Sequence, residues 1–368
     1  MSLIKDIYSP VFYDRFAGTM EQVIPSFNKN KFIRMIFTDE FKTMEWKERM
    51  KFTTRVFYEF LPESYPKAIE LIEQIIIQLR KNNFGEDGLA LIFLADYIET
   101  YGLEDFDTSV KALEIVTQFV SCEFAVRPFI LKYGNKMIDQ MVVWSKHENY
   151  RVRRFASEGS RPRLPWAMAL PELKKNPETL IPLLENLKND PSESVRRSVA
   201  NNINDIAKDH PDVVMAIAAR WKGFSKETDA IIKHGSRTLL KQGHIEILKH
   251  YGLLSENISV INFEILTPEV KIGDSVAFIF TVINKDIAPQ TVRLEYGVYY
   301  KKANGQLARK VFKISEKIYQ PNERIIVQRK QSFRLITTRV FYTGQHQISI
   351  IINGEEKEIK NFEVIRNE

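Results

Sequence analysis

The sequence predicts a two-part α+β multidomain protein: an all-α solenoid of helical pairs over residues 1–254, then an all-β sandwich over 255–368. Three observations carry that prediction. From about Asp6 to Leu254 apolar residues recur at three- and four-residue steps, as in Ala68, Leu71, Ile72, Ile75, Ile76 and Leu79, which lays one apolar stripe along a helix. Within that half Asn149-Tyr150-Arg151-Val152-Arg153-Arg154-Phe155-Ala156 returns as Ser192-Glu193-Ser194-Val195-Arg196-Arg197-Ser198-Val199, 43 residues on. After Ser255 the texture changes to short runs rich in Val, Ile, Phe and Tyr, with turn residues between them.

In the first part, helix-compatible stretches are separated by short turns such as Leu61-Pro62 and Asn82 to Gly88. A looser third copy of the repeat runs from Asp229 to His234. Periods of roughly 40 residues with an acidic or amide turn and then Val-Arg mark HEAT-like helical pairs. One pair cannot bury its apolar face alone, so neighbours stack, and successive inner helices line a concave face. In such repeats Arg153 and Arg196 are expected to tie one repeat to the next through Asp and Asn side chains. Trp144 and Trp221 are expected in the core.

In the second part, strand-like runs cover Ser275–Ile283, Val292–Tyr300, Ile325–Gln331 and Gln347–Ile352. Turns are expected at Lys285-Asp286, Asn304-Gly305, Pro321-Asn322 and Asn353-Gly354, and Asn-Gly between apolar runs is a strong hairpin signal. About seven short strands in roughly 110 residues fit an immunoglobulin-like sandwich without the disulfide. The boundary is expected near Leu254 to Ile258.

Composition narrows the function. The net charge is +6, and basic surfaces favour polyanions. Cys122 is the single cysteine, which excludes a disulfide framework or a thiolate metal site. The opening Met-Ser-Leu-Ile-Lys does not read as a secretory signal, and no apolar run approaches the roughly 20 residues of a membrane span. The expectation is a soluble cytoplasmic monomer with no membrane partner, no cofactor and no metal. There is no Walker-type loop, no dinucleotide fingerprint, no helical pair of histidine ligands and no nucleophilic Ser or Cys motif. Any chemistry falls to carboxylates, arginines and aromatics.

Such residues converge in Ala156-Ser157-Glu158-Gly159-Ser160-Arg161-Pro162-Arg163-Leu164-Pro165-Trp166-Ala167. The glycine and prolines break the helix there, although both flanks look helical. A carboxylate, two guanidiniums and an indole in one turn suit a charged, planar ligand. The repeat match aligns Glu158 with Asn201 and puts Asp205 one turn further along its helix. Lys146 to Arg163 holds six Lys/Arg against two acids, a basic stripe able to follow a phosphate backbone. Glu123, set among apolar residues, is expected to be ion-paired, with Arg127 as the partner at four-residue spacing.

The segment Arg153 to Ala167 and the later Asp190-Pro191-Ser192-Glu193-Ser194-Val195-Arg196-Arg197-Ser198-Val199-Ala200-Asn201-Asn202-Ile203-Asn204-Asp205 resemble the two signatures of the HEAT-like alkylpurine DNA glycosylases, closest in the AlkC branch. The resemblance covers the helical half, and members of that branch also carry an immunoglobulin-like C-terminal domain. It implies hydrolysis of the N-glycosidic bond of cationic alkylated bases (3-methyladenine, 3-methylcytosine, 1-methyladenine) in double-stranded DNA. By resemblance, Glu123, Glu158 and Asp205 are the catalytic or base-contacting carboxylates. Arg161 and Trp166 match lesion-site residues, Arg154 lies beside the lesion strand, and Arg163 and Arg197 are assigned to phosphates. The β-domain carries 17 Lys/Arg against 13 Asp/Glu, and Lys301-Lys302 at a hairpin end could reach phosphates. The alternative is a non-catalytic HEAT scaffold that binds DNA or protein. An RNA-binding solenoid is a weaker third option, since no tandem base-reading residues are visible.

Overall fold

The structure, a computed structural model, describes residues 3–85, 88–336 and 339–366. Met1 and Ser2 of the opening segment, and Glu86 and Asp87 of the Asn82 to Gly88 turn, lie outside them. The chain forms two compact units, Met1–Gly235 and Ser236–Glu368.

The first unit is helical. The Pro10–Val23 helix starts on Ser9, whose hydroxyl accepts from Phe12 N at 3.2 Å, with proline at the first helical position. The Tyr65–Lys81 helix buries Ala68, Ile72, Ile75, Ile76 and Leu79 of the stripe expected from spacing and leaves Leu71 half-buried, with Ile69 buried in addition. The three copies of the repeat lie on helices Tyr150–Gly159, Glu193–Ile206 and Lys226–Gly235, each packed on the next. The joint between the first two is electrostatic. Arg153 Nε and Nη2 donate to the two Asp190 oxygens at 2.6 and 3.0 Å, and Asp190 Oδ1 also accepts from Ser192 N at 2.8 Å. Arg196, its counterpart one repeat on, donates to the Asp190 and Pro191 carbonyls at 2.7 and 2.8 Å. Arg153 also donates from Nη1 to the His147 and Glu148 carbonyls at 2.9 and 2.7 Å, so both arginines brace the turn before their own helix and Arg153 alone of the two adds an acidic side chain of the next repeat. Glycine at 235 lets the last two helices close up, since a Cβ there would sit 2.6 Å from Ile203 Cγ2. Trp144 and Trp221 are fully buried, each indole N–H donating to a glutamate, Glu114 and Glu185 respectively.

Among the described residues the second unit contains eight strands: β1 Ile258–Ile265, β2 Glu269–Lys271, β3 Ser275–Asn284, β4 Gln290–Lys301, β5 Leu307–Tyr319, β6 Arg324–Ser332, β7 Gly344–Ile352 and β8 Glu355–Ile365. They form a three-stranded sheet, β1-β3-β6, and a five-stranded sheet, β2-β8-β7-β4-β5. Alternate residues of β3 (Val276, Phe278, Phe280, Val282), β4 (Val292, Leu294) and β7 (Ile348, Ile350, Ile352) are buried in one core, as a sandwich requires. The two Asn-Gly turns close hairpins β4–β5 and β7–β8, and Asn353 and Gly354 both take the positive φ of a primed turn (48° and 79°). The Lys285-Asp286 and Pro321-Asn322 turns instead carry the chain between the two sheets.

The strands begin at Ile258, but the compact unit begins earlier, with the short helices Arg237–Gln242 and Ile245–His250. Gly243 lies against the β7–β8 turn so closely that a Cβ would stand 2.6 Å from the Gly354 carbonyl oxygen. Asn353 also donates to the Leu254 carbonyl. These helices keep helical periodicity yet pack on the sandwich, which sequence texture alone does not reveal.

Candidate active site

The Tyr150–Gly159 helix stops where the motif dictates, and the chain turns through Pro162 and Pro165 before the Pro171–Lys175 helix. The arginine after the break folds back inward. Arg161 is 7% exposed and donates from Nη1 to Glu158 Oε1 at 2.6 Å and from Nε to Asp205 Oδ2 at 2.9 Å. One guanidinium thus joins carboxylates from two successive repeat helices. The other oxygens are also engaged. Ser198 Oγ donates to Glu158 Oε2 at 2.6 Å, and Lys208 Nζ to Asp205 Oδ1 at 3.0 Å. Asn202 Nδ2 donates to the Ser157 carbonyl at 2.9 Å, fixing the two helices in register. Burial opposes the Arg161 charge, but Glu158 and Asp205 outweigh it and hold its pKa above the ordinary value.

Glu123 forms the second carboxylate centre and is 4% exposed. Its expected partner, Arg127, is not its partner. Glu123 pairs with Arg154, while Arg127 donates to backbone carbonyls: Nε to Met168 at 2.6 Å, and Nη1 to Gly159 and Arg161, both at 2.9 Å. The four-residue rule fails because Glu123 lies in the turn before the Val126–Tyr133 helix, so the two residues do not share a helix face. Arg127 is fully buried beneath the motif turn and holds both its ends. Its own pKa is lowered to about 10, first by burial and then by Arg161.

Glu123 is pushed up by burial, opposed by Arg154, with Glu158 adding to the rise, so the two carboxylate centres sense each other. Its Oε2 is buried without a hydrogen-bond partner. It borders a cavity of roughly 410 Å³ shared with Arg154, Thr117, Ser121, Tyr150 and Ser194. A buried carboxylate with one oxygen unsatisfied is a ready acceptor for a cation or a donor group.

Trp166 is placed unlike the other three tryptophans. It is 66% exposed and takes φ +64°, a conformation an L-residue holds at a cost of about 1–3 kcal/mol. Its ring lies 6.1 Å from that of Trp46 at a 52° tilt. Exposed and held at the tip of the turn, it is available to a ligand face.

The remaining basic residues sit at the surface. Arg163 pairs with Asp209 through Nη2 at 2.7 Å and is partly exposed, and Arg197 pairs with Glu193 at 2.6 Å in full solvent. The structure therefore gathers Glu158, Arg161 and Asp205 in one network, sets Glu123 and Arg154 beside it, and leaves Arg163 and Arg197 outside it. Sequence reasoning missed Ser198, Asn202, Lys208 and the supporting role of Arg127. A polar stripe at Ser198, Asn202 and Asp205, spaced four and three along one helix, carried a readable signal.

Among the described residues no helix is long and apolar enough to cross a membrane. Residues 180–210 match the HEAT repeat model, and residues 259–366 match a family described as the C-terminal Ig-like domain of the uncharacterised protein YhaZ. Over 99% of this chain and all of the relative, the sequence is 42% identical to the uncharacterized protein YhaZ of Bacillus subtilis (strain 168). Among solved structures, the alkylpurine DNA glycosylase AlkC of Pseudomonas fluorescens, bound to DNA containing an abasic site analog, is 32% identical. That match covers 99% of this chain and 100% of that one, with a TM-score of 0.93. Full-length agreement in sequence and fold, extending through both units, places this chain in the AlkC family of alkylpurine DNA glycosylases.

Proposed function

We propose that this protein is a monofunctional DNA glycosylase that hydrolyses the N-glycosidic bond of cationic N-alkylated bases, 3-methyladenine, 3-methylcytosine and 1-methyladenine, in double-stranded DNA. The observation that carries this is the trio of buried carboxylates, Glu123, Glu158 and Asp205, held by arginines, together with an exposed tryptophan on the same motif turn as Arg161. A phosphate-binding scaffold gains nothing from buried anions there, because they weaken attraction to DNA. An enzyme that holds a cationic base and passes its charge to the sugar does gain.

The alkylated base carries its own positive charge, so it is an activated leaving group. As the C1′–N bond breaks, its electron pair passes to the base, which departs neutral, and the sugar becomes an oxocarbenium ion. Glu123 and Glu158 stabilise the cationic base and then the sugar through fixed negative charge. Water adds to C1′ and Asp205 accepts its proton, leaving an abasic sugar. Arg161 keeps Glu158 and Asp205 in place between catalytic cycles. Trp166 meets the base with its π face. Arg154, Arg163 and Arg197 serve the lesion strand and its phosphates. The AlkC structure of Pseudomonas fluorescens, bound to DNA containing an abasic site analog, supports DNA as the partner. We place the enzyme in the cytoplasm as a monomer.

The test is release of free bases from methylated duplex DNA by the wild type, Glu158→Gln and Asp205→Asn. Each variant should lose about 10²–10³ in single-turnover rate, the range for removing one preorganised electrostatic group. Borohydride should trap no covalent protein–DNA adduct. Wild-type protein that binds DNA and releases no base would establish the scaffold instead.

A further inference from the structure

We propose that Lys47 is a positioning residue of this site, which holds the Trp166 turn so that the indole presents its face to the base and which acts on excision only through Trp166. The inference rests on the reading of Trp166 as the aromatic that meets the base. Lys47 lies in the first turn of the Trp46–Tyr58 helix, far from the motif in sequence. Its ammonium donates to the Trp166 carbonyl. The same ammonium stands 5.1 Å from the ring centroid of Phe124, the neighbour of Glu123. The preceding residue, Trp46, lies against the Trp166 ring.

Two consecutive residues of one helix therefore engage Trp166 by different means, ring by packing and backbone by a charged donor. The two contacts are not equivalent. Trp46 is 6% exposed and its indole N–H is buried without an acceptor, so it offers Trp166 an apolar wall and no polar hold. Arg127 fixes the carbonyls at 159, 161 and 168, the two ends of the turn. Lys47 is bonded at the tip, where the backbone takes the left-handed conformation. A left-handed non-glycine residue persists only where its surroundings over-determine it. Lys47 supplies that constraint and, through Phe124, links it to the segment bearing Glu123. Its ammonium is bonded to that carbonyl and also acts electrostatically on Glu99, and the Trp166→Ala background separates the positioning role from that second effect.

The experiment measures single-turnover excision of methylated duplex DNA by the wild type, Lys47→Met, Lys47→Arg, Trp166→Ala and the Lys47→Met/Trp166→Ala double variant. Rates are taken at saturating enzyme, together with the half-saturating concentration and its salt dependence. Acrylamide quenching of tryptophan fluorescence is read in parallel, since Trp46, Trp144 and Trp221 are buried and Trp166 is not. Lys47→Met should lower the saturated rate about tenfold, within the loss expected when a contacting group is misplaced by about 1 Å. Half-saturation and salt slope should hold, and quenching should change. Lys47→Arg should restore most of the rate, and Lys47→Met should be silent in the Trp166→Ala background. If Lys47→Met slows both backgrounds equally, lowers the salt slope as a phosphate contact would, or leaves the rate intact while Trp166→Ala is slow, the positioning role is wrong. Wild-type rates in Trp166→Ala would refute the role of the indole itself, a result read with Lys47 still in place and so distinct from failure of Lys47.

Discussion

Replacing Arg161 with methionine tests the centre of the site most directly. Methionine keeps an unbranched chain of similar reach but removes the charge and every donor. In the native protein Arg161 is 7% exposed and makes two charge-assisted bonds, at 2.6 and 2.9 Å, to two acids that are themselves 8% and 2% exposed. Each such bond contributes about 1.5–3 kcal/mol, and breaking a buried ion pair from one side costs about 3–5 kcal/mol because the stranded charge remains. Ser198 still donates to Glu158 and Lys208 still donates to Asp205, which favours the lower end, about 3 kcal/mol. For a unit of this size that corresponds to a fall in Tm of roughly 6–12 °C. Urea denaturation followed by far-ultraviolet circular dichroism should show a lower midpoint at unchanged slope. The triple variant Arg161→Met, Glu158→Gln, Asp205→Asn should regain most of the loss, because the penalty lies in the uncompensated charges. A loss for Arg161→Met below about 1 kcal/mol, the range of an exposed pair, would refute the argument. So would a triple variant less stable than the single one.

Three further outcomes follow from other residues. Burial raises the Glu123 carboxyl pKa and Arg154 opposes the rise, so its contribution to stability falls as pH rises. Arg154→Gln removes the opposing charge; its deficit against wild type in denaturation should widen as pH rises above the ordinary carboxyl range, and a constant deficit would contradict the pairing. Glu99 is pushed up to about 7, by burial first and then by Asp96, so wild-type stability should decline through that pH and Glu99→Gln should flatten the decline in a thermal melt series. Arg197→Gln breaks only an exposed pair and should shift stability by less than about 0.5 kcal/mol, while the salt dependence of DNA binding should drop by close to one phosphate contact.

Much of the chain was legible before folding. Local rules were enough for the Tyr65–Lys81 stripe, the break after Gly159 and the Asn-Gly hairpins, because each depends on residues adjacent in sequence. The pairing of Glu123 was not legible. Two arginines lay within reach in principle, and the choice of Arg154 over Arg127 depends on a helix that starts at Val126 and on a second helix that brings Arg154 back 31 residues later. Trp166 illustrates the same limit from the other side. Its composition-rich setting marked it as unusual, but a lone tryptophan beside prolines usually reads as plain packing, and only its 66% exposure decides against that.

By itself the sequence determined where helices give way to strands, that Val-Arg-Arg elements stack as repeats, and which residues bear the family signature. Tertiary structure alone decided that Arg161 bridges Glu158 and Asp205, that Arg127 supports a backbone turn, and that the two helices before the sandwich pack with it. Periodicity and turn chemistry act over a few residues and leave a trace in composition, whereas the sharing of one buried guanidinium by two acids 47 residues apart is set by which helix faces meet.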